Sequence, residues 1–143
     1  MNIIRIMTPK INVKYLSDTD TLLDGIQEMR NHGYTSVPVI SDDCICVGTL
    51  SDGDCLRYIF DHADKFSPEL LSGVKVSEVM NKSRNPAVKI DVSDETLFSR
   101  ITNCNFVPVT DDRGCFVGIV TRRAVLKYYE DVISGGEKRE DRA

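Results

Sequence analysis

The residues best suited to chemistry in this sequence lie at the ends of two short apolar runs. Ser51, Asp52 and Asp54 follow Gly48-Thr49-Leu50, and Thr121, Arg122 and Arg123 follow Gly118-Ile119-Val120. A hydroxyl residue that closes a strand and opens a helix leaves free backbone N–H groups at the helix start, and such an end attracts phosphate. Ser51 and Thr121 can cap their helices or hydrogen-bond a ligand, and the residues leave both roles open. Asp54 brings a charge and two acceptor oxygens, which suit a cis-diol; the same charge also favours the first turn of a helix. Arg122 and Arg123 run against the helix dipole. Their planar forks would take phosphate in bidentate fashion, with solvation or a salt bridge to an acidic neighbour as the alternative.

No catalytic constellation accompanies these residues. The sequence has no G-x-S-x-G, no GxxxxGK[ST] phosphate loop and no metal motif, so an enzyme is not expected. Asp42-Asp43 and Asp111-Asp112 fall in equivalent turns, where turn chemistry accounts for them. The five cysteines (Cys44, Cys46, Cys55, Cys104 and Cys115) include no CxxC pair, and neither His32 nor His62 has a partner at metal-ligand spacing. Buried free thiols in a reducing compartment are expected, with no metal and no cofactor. A net charge of -4 argues against a nucleic-acid polymer as partner. No apolar run approaches the roughly 18 residues of a membrane span, and the start lacks the pattern of a signal peptide. The expectation is a soluble, cytoplasmic protein.

The elements that must position these residues occur twice. Residues 33–61 align without a gap on 103–131, seventy positions on: Val37-Pro38-Val39 falls on Val107-Pro108-Val109, Val47-Gly48 on Val117-Gly118, and Tyr58 on Tyr128. Upstream, 12–22 resembles 87–97 at a separation of 75, which places a loss of five residues within the following helix of the second copy. Each copy reads as β-α-β-β-α. A first strand is predicted around Ile11–Tyr15 and Ala87–Ile90, with Asp18 or Ser93 as helix N-cap. The helix carrying Leu22, Leu23, Ile26 and Met29 stops at Gly33. Strands follow at Ser36–Ile40 and Cys44–Leu50, and at Val107–Thr110 and Cys115–Val120, before helices from Ser51 and Thr121. The fold class is therefore α+β, as tandem repeats with pseudo-two-fold symmetry. The first repeat with its linker covers 1–75, the second 76–133, and 134–143 reads as a flexible polar tail.

The doubled unit, with VPV at 37–39 and 107–109, GTLSDGD at 48–54 and GIVTRR at 118–123, resembles the CBS domain pair (Bateman module), a regulatory module that binds adenine nucleotides. In that family the hydroxyl of Ser51 or Thr121 faces the nucleotide and the acid at Asp54 holds a ribose diol. In the second copy that acid is replaced by Ala124, and two arginines appear. This exchange, with GYTSVPV at 33–39 and Lys10, is similar to the stand-alone CBS-pair receptors for cyclic di-AMP. The resemblance implies a ligand site between the repeats built from Lys10, Ile11, Asn12, Tyr34, Thr35, Val37, Pro38, Thr121, Arg122 and Arg123. A cyclic dinucleotide has no free cis-diol and carries two phosphodiesters, which fits losing the acid and gaining arginines. A second, pseudo-symmetric position would use Ser51, Asp54, Asn85, Ala87, Val88, Asn105, Phe106, Val107 and Pro108. It keeps the ribose-binding acid, and Asp52 makes it poorer for phosphate. The resemblance implies a non-catalytic signalling protein, a homodimer, whose ligand alters its interaction with an unidentified effector protein. The alternatives are an AMP, ADP, ATP or S-adenosylmethionine sensor, or a nucleotide-independent interaction module.

Overall fold

A computed structural model describes residues 1–142, with side chains through residue 135. The chain runs α1 (Ile3–Ile6), β1 (Thr8–Pro9), a 3-10 turn (Lys10–Asn12), β2 (Leu16–Ser17), α2 (Leu22–His32), β3 (Ser36–Ile40), β4 (Cys46–Ser51) and α3 (Asp52–Asp61). After a 3-10 turn (Ala63–Lys65) come α4 (Pro68–Ser72) and another 3-10 turn (Val76–Glu78). The second copy follows as β5 (Val88–Lys89), α5 (Asp94–Asn103), β6 (Phe106–Thr110), β7 (Phe116–Thr121) and α6 (Arg122–Arg142). The fold is mixed α+β, with one sheet per copy. The first sheet has the order β2-β3-β4 and the second β1-β7-β6-β5. In each, the leading strand lies parallel to its neighbour and the hairpin is antiparallel. Val37 faces Leu50 and Val107 faces Val120, and both hairpins shift register one step after the second valine of VPV.

The two cores are closed by segments exchanged between the copies. Ile3 packs with Val88, Leu97, Ile101, Val107, Val109, Val120 and Val125, and β1 pairs antiparallel with β7. The start of the chain thus completes the second copy. Conversely, Leu71 and Val76 join Leu16, Leu22, Val37, Val39 and Leu50 in the first core, and Asn81 bridges to Thr49. Spatially, therefore, the linker and the segment after it belong with the first copy. The exchange explains the glycine after each Val47- or Val117-type residue. A Cβ on Gly48 would sit 2.8 Å from the Asn81 carbonyl oxygen, and one on Gly118 would meet the Thr8 carbonyl oxygen. Only glycine lets the exchanged backbone approach so closely.

Several expected boundaries differ. Residues 10–12 form a 3-10 turn, and the leading strand of the first copy's sheet is the short β2, whereas β5 lies within the expected Ala87–Ile90. The N-cap of α2 is Thr21, whose hydroxyl accepts from the Asp24 N–H at 3.1 Å. Asp18 instead donates its backbone N–H to the Ile40 carbonyl, extending the sheet contact. Ser93 caps α5 as expected, accepting from Thr96 N–H. The leading strands and the N-caps Thr21 and Ser93 keep a separation of 72 and the VPV strands one of 70, so the second copy is shorter by two residues rather than five, one in the helix (11 residues in α2, 10 in α5) and one in the turn after it. Gly33 ends α2 in the left-handed conformation (φ 70°), which glycine adopts without steric cost. β4 and β7 start later than expected, because Cys44 and Cys115 belong to the turns before them.

These turns meet. Cys44 and Cys115 form a disulfide, and the Phe116 N–H donates to the Cys44 carbonyl at 2.7 Å. Free thiols were expected at both positions; the pairing joins the two hairpin tips, a proximity that no CxxC spacing could signal. Cys46, Cys55 and Cys104 remain free thiols. α6 is kinked at Gly135, and residues 136–143 of the expected tail lie outside those whose side chains are described.

Candidate functional site

Where the copies meet, the 3-10 turn, the α2–β3 turn and the end of β7 enclose a cleft of about 360 Å³. Its walls include Asn12, Val13, Lys14, Tyr34, Thr35, Val37, Pro38 and Thr121. Six of the ten expected residues (Asn12, Tyr34, Thr35, Val37, Pro38 and Thr121) are thus brought together. Gly33 turns the chain so that Tyr34 stands half-exposed beside the cleft, its ring stacked 5.8 Å from His32. Asp52 N–H donates to the Thr35 carbonyl at 2.8 Å, and Arg122 N–H donates to that of Asn105 at 2.9 Å. These two matching bonds tie each turn to the start of the following helix.

The other four expected residues stand outside the lining. The Lys10 ammonium contacts Cys44 Sγ at 3.7 Å and sits 5.5 Å from the Tyr15 ring centroid. Ile11 is 90% exposed. Arg122 donates from Nε to the Ile101 carbonyl at 3.0 Å and from Nη2 to the Thr102 carbonyl at 3.4 Å. Its cation closes the C-terminal end of α5, where carbonyls and dipole favour it. The expected phosphate fork of Arg122 and Arg123 is therefore divided. Arg122 is engaged within the fold, whereas Arg123 is exposed and has no hydrogen bond or ion pair among the described residues. Thr121 Oγ1 accepts from Ala124 N–H at 3.0 Å, so it caps α6 while also facing the cleft.

Sequence reasoning missed Thr8, Val13, Lys14, Gly33, Ser36 and Ile119 in the lining and assigned Asn105 and Phe106 to the other position. The exchanged β1 brings Thr8 opposite Ile119, a pairing between copies that repeat alignment cannot reveal. Lys14 forms an ion pair with Glu28, whose carboxyl is held below its ordinary value chiefly by that lysine. Asn105 Nδ2 donates to Ser36 Oγ at 3.4 Å, linking the two turns across the cleft.

The second position is organised differently. Ser51 Oγ accepts from Asp54 N–H at 3.0 Å, and Ser51 N–H donates to Asp54 Oδ2 at 2.9 Å, a reciprocal capping box. Arg84 donates from Nη1 to Asp54 Oδ2 at 2.9 Å and from Nη2 to Oδ1 at 2.6 Å. Burial pushes the Asp54 carboxyl up, but the Arg84 and Ser51 hydrogen bonds outweigh it and hold the group below the usual carboxylate range. Asn85 is buried and its amide is committed to the fold: Oδ1 accepts from Thr49 Oγ1 at 3.1 Å, and Nδ2 donates to the Phe106 carbonyl at 2.8 Å. It cross-links the copies. Val88, Val107 and Pro108 are buried in the second core, and Ala87 is exposed.

The family model for the CBS domain matches residues 3–61 and 76–131. The chain belongs to the CBS domain family. As a CBS pair it is 31% identical over 97 residues to cyclic di-AMP receptor B of Bacillus subtilis, covering 66% of this chain and 63% of that relative. It is 25% identical over 116 residues to an uncharacterized protein of Methanocaldococcus jannaschii, covering 77% of this chain and 41% of the relative. The CBS pair thus spans less than two-thirds of either relative. Among solved structures, CbpB of Listeria monocytogenes in complex with c-di-AMP superposes with a TM-score of 0.82 at 25% identity, over 94% of this chain and 98% of that one. CBSX2 in complex with AMP superposes with a TM-score of 0.74 at 26% identity, over 92% and 97%. No helix among the described residues is long and apolar enough to cross a membrane.

Proposed function

We propose that this CBS pair is a non-catalytic receptor that binds cyclic di-AMP in the cleft between its copies and so changes its engagement of an effector protein. The observation that carries the reading is the character of the cleft: among the described residues its lining includes Lys14, Thr121 and the turn of Tyr34 but no carboxylate. A diester with no free diol has no use for an acid there and would be repelled by one. Arg123 is the cation available for a phosphate, since Arg122 is committed to α5. Tyr34 offers a ring face for an adenine. The names of the Bacillus and Listeria relatives favour the same ligand.

The receptor acts as a homodimer in this reading. Leu56 and Phe60 on α3 and Leu126 and Ile133 on α6 are exposed, Phe60 to 78%, and pairing copies through these helices would cover them. A second reading, an AMP, ADP or ATP sensor, is favoured by the AMP complex of CBSX2. A thermal-shift panel of cyclic di-AMP, AMP, ADP, ATP and S-adenosylmethionine separates the two. The proposal expects the largest rise with cyclic di-AMP; a larger rise with a mononucleotide moves the function to the second reading.

A further inference from the structure

We propose that Arg84 is a specificity-determining residue that fills the second nucleotide position of the pair and closes it to ribonucleotides. The inference rests on the nucleotide-receptor reading but concerns the other half of the molecule. A ribose diol needs two acceptor sites on a carboxylate, and a carboxylate has about four. Three of these on Asp54 are taken. Oδ2 accepts from both Ser51 N–H and Arg84 Nη1, and Oδ1 accepts from Arg84 Nη2. Arg57 lies a further 3.6 Å from Oδ1. Asp54 is only 4% exposed. A diol could reach it only by displacing a bidentate, charge-assisted pair.

The arginine is held in place by its own segment. Arg84 N–H donates to Asn81 Oδ1 at 2.8 Å, its carbonyl accepts from Cys104 Sγ at 3.1 Å, and the adjacent Asn85 is locked between Thr49 and Phe106. The other copy has neither partner of the pair. Thr8 and Asn81 face Ile119 and Thr49, a separation of 73, and Leu16 and Val88 face Val39 and Val109, a separation of 72. Arg84 therefore corresponds to Ile11 or Asn12, and Asp54 to Ala124. Acid and arginine are present together in one half and absent together in the other, which leaves one cleft open to a nucleotide.

The test is calorimetry of wild type and Arg84→Met with AMP, 2′-deoxy-AMP and cyclic di-AMP, beside a thermal melt of each protein. The expected result is that Arg84→Met binds AMP at least about tenfold more tightly than wild type, the equivalent of one recovered hydrogen bond. The variant should also prefer AMP to 2′-deoxy-AMP, and its cyclic di-AMP affinity should be unchanged. A folded variant that binds AMP no better than wild type, or that gains affinity equally for both mononucleotides, overturns the proposal. Should Arg84→Met not fold, Arg84→Lys, which keeps the charge but loses the fork, carries the same comparison. Failure of cyclic di-AMP to bind wild type, with the AMP gain intact, sinks the main reading and leaves this one standing.

Discussion

At the scale of single residues, the two arginines of the TRR motif separate into different jobs. Arg122 holds the end of α5 through two backbone carbonyls. Arg122→Met should therefore lower stability by about 1 kcal/mol, the worth of an exposed, charge-assisted contact at a helix end, as read by urea denaturation. That division was not legible in the sequence, because the carbonyls it meets lie some twenty positions away on another helix. The unusual placement of cations at a helix start was legible. So was the missing acid at Ala124, but not the arginine that occupies Asp54, since Arg84 reaches it only through the exchanged segment. Asp54 also sets an acid limit. Its folded carboxyl titrates below its unfolded value, so the pair's stabilisation is complete above the unfolded pKa of about 4 and is lost as pH falls through the folded value. Urea midpoints between pH 7 and pH 2.5 should show an acid loss that shrinks in Asp54→Asn; an equal loss in both would assign it elsewhere. Cys55 sets the opposite limit: burial pushes its thiol up to about 11. It favours the fold below the unfolded pKa of about 8.5 and loses that contribution as pH rises toward 11.

At the scale of elements, the repeat was readable because Pro and Gly coincide in both copies, and the hairpins appeared where the VPV runs predicted them. The leading strand of the second copy fell within the expected Ala87–Ile90, but that of the first copy was misplaced: its pairing is only two residues long, too short for a periodic signal. The N-cap of α2 was misplaced for a related reason: Asp18 and Thr21 are both capping residues, and the Asp18 N–H is drawn into a bond with Ile40. Thr21→Ala should cost about 1 kcal/mol of stability, whereas Asp18→Ala should leave the cap intact; guanidinium melts distinguish the two. The glycines were visible as a pattern without a cause until the exchange of segments supplied one. Gly118→Ala should destabilise the fold by more than about 1 kcal/mol, because its Cβ would displace the Thr8 backbone in β1. Ala in place of Gly53, whose nearest neighbour is 3.6 Å away, should be tolerated in the same melt.

At the scale of the whole molecule, two copies with interleaved segments form a single structure, and the cleft exists only because both are present. The Cys44–Cys115 disulfide adds a covalent link between hairpins 71 positions apart. By chain entropy alone such a link is worth up to about 4 kcal/mol, so dithiothreitol should lower the denaturation midpoint of wild type and leave Cys44→Ser unaffected. Light scattering should give about twice the 16.0 kDa chain mass if the exposed faces of α3 and α6 pair; 16 kDa at micromolar concentrations would reject the dimer. The central claim is tested most directly by calorimetric titration of cyclic di-AMP into wild type and Arg123→Met. The account predicts one ligand per chain for wild type, an unchanged melting temperature for the free variant, and binding weakened by roughly one to two orders of magnitude, the loss of one charge-assisted hydrogen bond. Equal affinity in the two proteins would contradict the role of Arg123, and no binding to wild type would contradict the account of the cleft.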